Sequence, residues 1–503
     1  MTAPTDQGSS VGAVNSVHEA DVVIHDAVVV TVDEGQNLYE HGTVLVSDGE
    51  IKDVRPSKPD DAELDAEVVI DGTGKLVMPG LVNTHTHVEL TPTMGGVGDF
   101  GDGELWGYNT PLYRDLAEGE LDYLAEAGAE LAALNFLKSG ITTVNSMDCR
   151  PSICAESFGE AGLRGFFGST ISDLFWDIPV DEQFERAREF IESYHESYDG
   201  RIQATICPHC DWACTRELWE QASAFADEYP DITVHTHLLE LDLSNTIARS
   251  NGANDSLDLL EETDILDERL VAAHFRMADE DDIRRTAAAG ASVAHCPSIF
   301  SYWNADPDMQ WTPVPDVRDA GIDVGLGIDD HYWHDSYDLL GEARQARLRA
   351  NTEWGGGQFT SEELVRMLTH EGAQALNVGD ETGSIEAGKR ADMIVLDFDS
   401  PKFAPVNNVF AHVANQATRA DVETVIVDGN VLMRDGEVKT MDPDAVINRV
   451  EAAMEQFETE TEWSFDMDGT ETPSTASTFR DAPKRGPSRL FGKAVLQSAK
   501  DKL

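Results

Sequence analysis

Basic residues are scarce in this chain: 36 lysines and arginines stand against 94 aspartates and glutamates in 503 residues, a formal charge of −58. A surface of that sign repels nucleic acid and anionic membrane, so no nucleic acid and no membrane is expected as a partner. The acidic residues are spread along the chain and 41 % of it is hydrophobic, which argues for a folded protein over a disordered one. Salt screens the self-repulsion of such a surface, so the composition reads as halophilic, suited to a high-salt cytoplasm. Cysteine is also rare, and six in the whole chain make no disulfide framework. Apolar runs of about eighteen residues are missing, so no membrane-spanning helix is expected. The first residues include Asp6 and lack both the basic and the apolar region of a signal peptide. A cytoplasmic location is the expectation.

The length calls for more than one small core. Residues 1–19 are small and polar and are expected to be a disordered N-terminus. Short β-rich runs follow at 20–32, 42–47, 50–54 and 67–70, separated by turn signals such as Asp48-Gly49 and Asp71-Gly72. From Leu81 strands alternate with helical stretches, the pattern of a parallel α/β fold. Candidate strands at 81–87, 141–147, 163–169, 202–207, 232–238, 271–275, 292–296 and 322–328 match a (β/α)8 TIM barrel in number and span. After a helical region at 361–377, β signals return at 391–396, 422–427 and 430–433. Neither flank alone has enough strands to bury a core. Residues 20–80 and 386–442 are therefore expected to combine into one small β-sandwich domain beside the barrel at 81–385. Residues 443–503 read as a tail, helical to about 460 and linker-like from Thr470 to Thr478. Its end is basic, with Lys484, Arg485, Arg489, Lys493, Lys500 and Lys502, and is expected to lie on the acidic body or in solvent.

In a parallel barrel the C-terminal strand ends meet at the functional face. The first candidate strand ends Asn-Thr-His85-Thr-His87, and residues two apart on a strand share a face. The fifth ends Val-His235-Thr-His237-Leu-Leu-Glu240, the sixth Ala-Ala-His274, the seventh Ala-His295-Cys-Pro and the eighth Gly-Ile-Asp329-Asp330-His331. Each histidine alone reads as a satisfied interior residue. Ionisable groups at the same end of five strands are costly to bury without a task, and one metal ion held by three histidine nitrogens and one aspartate oxygen explains them together.

Pro-Gly-Leu-Val-Asn-Thr-His-Thr-His, His-Thr-His-Leu-Leu-Glu, Ala-His-Cys-Pro, Gly-Leu-Gly-Ile-Asp-Asp and Gly-Ser-Ile-Glu-Ala-Gly-Lys-Arg-Ala-Asp resemble, in order and spacing over about residues 20–440, the amidohydrolase superfamily. The branch it resembles most holds triazine chlorohydrolases and aminohydrolases, guanine deaminase, and the S-adenosylhomocysteine and methylthioadenosine deaminases. The resemblance implies that His85, His87, His237 and Asp329 ligate one divalent ion, with zinc expected and iron the alternative. It makes Glu240 the proton carrier, places His274 beside the attacking water, and has Asp329 accept that water's proton. Strand alternation by itself leaves His235 and His237 equivalent. Two-metal members bridge their ions through a carboxylated lysine on a barrel strand. Between Lys75 and Lys389 this chain has only Lys138, in a helical run, so a single ion is expected.

The implied activity is hydrolysis of an amino or related leaving group on an N-heteroaromatic ring, a small-molecule substrate. The alternative is opening of a cyclic amide, as in imidazolonepropionase, and a non-enzymatic scaffold is the remaining reading. Trp106 and Tyr108 after the first strand suit the covering of a flat ring. His295, Trp303, Asp330 and His331 are the other candidate substrate contacts. Ser298-Ile-Phe-Ser-Tyr302-Trp303 stands where purine-handling members commonly carry Ser-Asn, and the pocket is expected to be aromatic and histidine-rich. Cys207-Pro-His209-Cys210-Asp-Trp-Ala-Cys214 lacks a second pair to complete a zinc knuckle and reads as a pocket loop. A homodimer is the expectation by analogy with relatives.

Overall fold

A computed structural model describes residues 20–97, 112–175, 178–241, 243–303, 310–334 and 336–472. Residues 1–19, Trp106, Tyr108 and the basic C-terminal residues lie outside the described set. The described residues open with five strands: β1 (Ala20–Val30), β2 (Leu38–Ser47), β3 (Glu50–Pro56), β4 (Ala66–Asp71) and β5 (Lys75–Pro79). Eight parallel strands follow: β6 (Leu81–Thr86), β7 (Ile141–Asp148), β8 (Arg164–Ile171), β9 (Ile202–Pro208), β10 (Thr233–Leu238), β11 (Leu270–His274), β12 (Ser292–His295) and β13 (Val324–Leu326). Then come β14 (Met393–Asp397), β15 (Val422–Val427), β16 (Asn430–Arg434) and β17 (Glu437–Val438).

The two flanks join in one nine-stranded sheet, ordered β17-β16-β15-β14-β5-β1-β2-β3 with β4 beside β1. The seam is the antiparallel pair β5–β14, with Val77 opposite Val395. The expected sandwich is thus one sheet bent over on itself. The backbone of Ile51 on β3 exchanges hydrogen bonds with Lys389 and Gly388, both at 2.8 Å. Alternate residues of β1, β2 and β14 turn into this bend, and Val22, Ile24, Val44, Val46, Met393 and Val395 make its own buried core.

The barrel closes where the functional face lies. Thr86 bridges Asp329, the amides of Ile328 and Asp329 donate to the carbonyl of His85 (3.1 and 2.9 Å), and the Ile328 amide also reaches Oδ1 of Asn83 (3.1 Å). First and last strands are therefore stitched through the residues that flank the histidines. The helix Asp122–Lys138 packs over the end of β6, and a Cβ on Gly128 would stand 2.1 Å from the carbonyl oxygen of Glu89, so only glycine allows that approach. Lys138 sits exposed at the last turn of this helix and on none of the barrel strands.

The tail folds onto the barrel for most of its described length. Asp442 caps the helix Pro443–Glu460, with proline at its first position, and the helix lies on Asp122–Lys138. A hairpin follows, β18 (Ser464–Asp466) and β19 (Gly469–Glu471). Trp463 and Phe465 stack at 5.8 Å and join Phe457, Leu90, Val97 and Leu112 in a second core over the loop after β6. No helix among the described residues is long and apolar enough to cross a membrane.

Candidate metal centre and active site

Four of the eight barrel strands send ionisable groups to one place. His85, His237, His274 and Asp329 each bring a ligand atom within 4.8 Å of the others, and His87, Asp329 and Asp330 do the same. Three chain segments reach it through left-handed residues at or beyond the strand ends: Leu239 (φ 50°), His274 (φ 75°) and Asp329 (φ 65°). A non-glycine residue in that region costs on the order of 1–2 kcal/mol, and the close backbone pairing around each turn over-determines it.

The hydrogen bonds decide which imidazole nitrogens are free. Nδ1 of His87 lies 2.6 Å from the carbonyl of Met147, and Nδ1 of His237 lies 2.7 Å from the carbonyl of His209. A carbonyl only accepts, so both Nδ1 atoms carry the proton and both Nε2 atoms are lone pairs in the neutral ring. Those two lone pairs face each other at 3.3 Å. Burial pushes His237 well below its ordinary value, so that ring does not take up a second proton. Beside them, the buried Nε2 of His85 has no hydrogen-bond partner among the described residues and lies 3.3 Å from Oδ1 of Asp329; the same oxygen is 3.6 Å from Nε2 of His87. Nε2 of His274 is 3.8 Å from Oδ2 of Asp329. Burial also holds His85 and His274 neutral, and burial followed by the charges of Asp330 and Glu240 pushes Asp329 well up. Facing lone pairs with a carboxylate between them suit a divalent cation, whose charge would restore the Asp329 anion. The donor set, imidazole nitrogen and carboxylate oxygen, is that of zinc or ferrous iron.

A supporting shell holds these groups. Nδ1 of His85 is 2.9 Å from Nε2 of His235, which fixes the ring of His85 with its Nε2 toward Asp329. Glu240 is buried, its carboxyl pushed up to about 8 by burial, and Nε1 of Trp212 donates to its Oε2 at 3.0 Å. Behind His87, Glu89 accepts the amides of Cys149 and Arg150 at the start of the helix Pro151–Ala161, while Asp148 accepts the amide of Val88. This clasp ties the end of β6 to the end of β7.

The other predicted residues divide. Asp330 accepts from the Tyr113 hydroxyl at 3.0 Å, and Tyr113 pairs with the Tyr332 hydroxyl; burial and then Asp330 push both phenols up. His295 ends β12 next to His274, and burial pushes it down to about 3. His331 is not brought to the cluster. It opens a short helix, His331–His334, where Nε2 meets the Thr91 hydroxyl at 2.8 Å and the ring packs on Phe136 and Tyr337. Trp303 is the last residue of the short helix Ile299–Trp303. Trp212, Tyr113 and Tyr332 were not singled out in the sequence, where His235 stood level with His237 and His209 was placed on a pocket loop without a role. His209 stands with its ring 4.7 Å from His237 and 4.7 Å from Phe175, on the loop the sequence marks by its clustered cysteines.

A closed parallel barrel with histidines and an aspartate converging on its strand ends is the architecture of a metal-dependent hydrolase. Residues 76–432 match the amidohydrolase family, and the chain belongs to it. Among curated proteins it is similar to a 5'-deoxyadenosine deaminase of Methanosphaera stadtmanae, 30 % identical over 87 % of this chain and 99 % of that one. A 5-methylthioadenosine/S-adenosylhomocysteine deaminase of Desulforudis audaxviator is 32 % identical over 86 % of this chain and 97 % of its own. Among solved structures, an adenosine deaminase from Xanthomonas campestris with bound zinc superposes with a TM-score of 0.80 at 25 % identity, over 88 % of this chain and 99 % of that one. The fold is shared with atrazine chlorohydrolase from Arthrobacter aurescens, TM-score 0.76 at 22 % identity, covering 86 % and 100 % of the two chains.

Proposed function

We propose that this protein is a mononuclear metal-dependent aminohydrolase that replaces the exocyclic amino group of an N-heteroaromatic ring, of the aminopurine kind, with oxygen from water. The observation that carries the reading is the facing pair of Nε2 lone pairs on His87 and His237, 3.3 Å apart beside Asp329 and His85, with a buried carboxyl at Glu240. The aminopurine ring is favoured because the curated relatives, matched over nearly their whole length, are named as deaminases of adenosine derivatives.

His85, His87, His237 and Asp329 would hold the ion, zinc first and iron as the alternative. When bound, it supplies acidity, lowering the pKa of a water molecule from about 15.7 toward about 7. The chain's own groups do the rest. Asp329 accepts the attacking water's proton. Glu240, half protonated near pH 8, gives its proton to the ring nitrogen, takes the proton left on the attacking oxygen as the ring C=O forms and passes it to the amino group, which leaves as ammonia; the proton held by Asp329 then restores Glu240. One water is consumed: its oxygen stays on the ring carbon, one of its protons ends on the ring nitrogen and the other leaves with ammonia. His274, held neutral by burial, would donate a hydrogen bond to the oxygen as charge develops on it. The ring is expected to be covered by His209, Phe175 and the Tyr113–Tyr332 pair, with His295, Asp330 and the residues Trp106, Tyr108 and Trp303 as further candidates.

The experiment is a panel of purines, pyrimidines and triazines, followed by ammonia release and ultraviolet absorbance in high salt. Ammonia release with an intact ring supports the reading; ring opening without ammonia replaces it with the cyclic-amide hydrolase. Glu240→Gln should keep the metal and nearly abolish turnover, and an active variant would remove Glu240 from its role.

A further inference from the structure

The segment after β9 does more than line the pocket. His209 to Trp212 runs beside the end of β10 and copies its path through a series of hydrogen bonds. The amide of His237 donates to the carbonyl of His209 at 3.0 Å, and the amide of Asp211 returns to the carbonyl of His237 at 3.3 Å. Oδ2 of Asp211 takes the amide of Leu239 at 2.9 Å, while its Oδ1 takes the hydroxyl of Ser244 at 2.8 Å. Leu239 is the left-handed residue between the histidine and the glutamate, so Asp211 anchors the bend that turns Glu240 inward. One residue further, the indole of Trp212 reaches Oε2 of Glu240. The indole itself is fully buried and clamped, with Phe175 edge-on at 5.2 Å and Leu174, Ala213 and Ile247 around it.

A glutamate side chain has three torsions, and a carboxyl that must carry protons between water, ring nitrogen and leaving group needs one of its rotamers held. Indole nitrogen is donor only, so it binds a carboxyl oxygen in either protonation state and competes for no proton. We propose that Trp212 is a positioning residue for Glu240: its rigid N–H holds Oε2 and leaves the opposite oxygen to face the substrate. The inference rests on Glu240 being the proton carrier.

Trp212→Phe keeps the buried ring and removes the donor. The metal content should stay at the wild-type level and KM should change little, while kcat falls about ten- to a hundred-fold, the cost of a misplaced reacting group. Loss of metal, a rise in KM with kcat unchanged, or a kcat within about twofold of wild type would overturn the proposal. A second measurement needs no Trp212 variant: with nitrogen-15-labelled tryptophan, one buried indole N–H resonance of the full-length protein should move in Glu240→Gln, and no response from any indole would also overturn it. The two claims separate cleanly. If Glu240→Gln stays active while an indole resonance moves, the hydrogen bond exists and the proton-carrier reading has failed.

Discussion

Replacing His237 by asparagine separates the metal from the fold. An asparagine amide can keep the hydrogen bond that Nδ1 now gives to the His209 carbonyl at 2.7 Å, but it brings no lone pair to the place of Nε2. Without metal, the wild-type pair holds two unsatisfied buried acceptors 3.3 Å apart, and each such group costs about 1–3 kcal/mol. Asparagine removes one of them and leaves a small cavity, whose cost at about 24 cal/mol per Å3 is of the order of 1 kcal/mol. The two effects nearly cancel, so in the presence of a chelator the variant should match wild type within about 2 kcal/mol. With zinc the outcomes diverge. Wild type at about a thousand times Kd gains about 4 kcal/mol by linkage, and the variant should gain almost none of it. The assay is urea unfolding at constant salt and pH, with chelator and with zinc. A variant strongly destabilised in chelator yet still stabilised by zinc would refute the reasoning, because His237 would then be packing material and not a ligand.

Two further changes test the shell. His235→Ala should weaken zinc binding about 10–100-fold by releasing the ring of His85, measured by competition with a coloured chelator; unchanged affinity would mean that the 2.9 Å contact between them holds nothing in place. Glu342 is buried, accepts the amide of Ser298 at 3.1 Å, and burial pushes its carboxyl from 4.5 to about 8. Its folded value is raised, so its contribution to stability is complete below about 4.5 and is lost as the pH climbs through about 8. By pH 8 that loss is of the order of 4 kcal/mol, at about 1.4 kcal/mol for each tenfold change in proton affinity. Glu342→Gln should therefore unfold at higher urea than wild type at pH 8 and at similar urea at pH 5, and a difference independent of pH would contradict the assignment.

The barrel was legible because each of its strands is a short apolar run bracketed by helical stretches, and all eight appear within a few residues of where that pattern puts them. Strand β5 was not: Lys75-Leu-Val-Met-Pro runs straight into the turn before β6, and only its pairing with β14 marks it as the seam of the smaller sheet. The hairpin β18–β19 is three residues a side, too short for alternation to register, and Trp463 and Phe465 gain their meaning from Phe457 and the loop they cover. At the site, the histidines and Asp329 could be read from strand ends because burying such groups is costly. What alternation cannot do is rank His235 against His237, since both point inward. Their depth separates them: His235 meets the far nitrogen of His85, and His237 meets Nε2 of His87. His331 looked equivalent to its neighbours in the sequence, but the left-handed backbone at Asp329 and the short helix after it turn the ring to Thr91. The contacts of Trp212 with Glu240 and of Tyr113 with Asp330 join residues 28 and 217 positions apart, and no local pattern announces them.

The central claim is one divalent ion per chain at His85, His87, His237 and Asp329. Its most direct test is to strip the protein with chelator, add zinc back in fractions of an equivalent, and follow ammonia release from an aminopurine nucleoside alongside bound metal. The account predicts activity rising in proportion to bound zinc, with a break at one equivalent per chain. A break at two equivalents, or activity that survives in fully stripped protein, would contradict it.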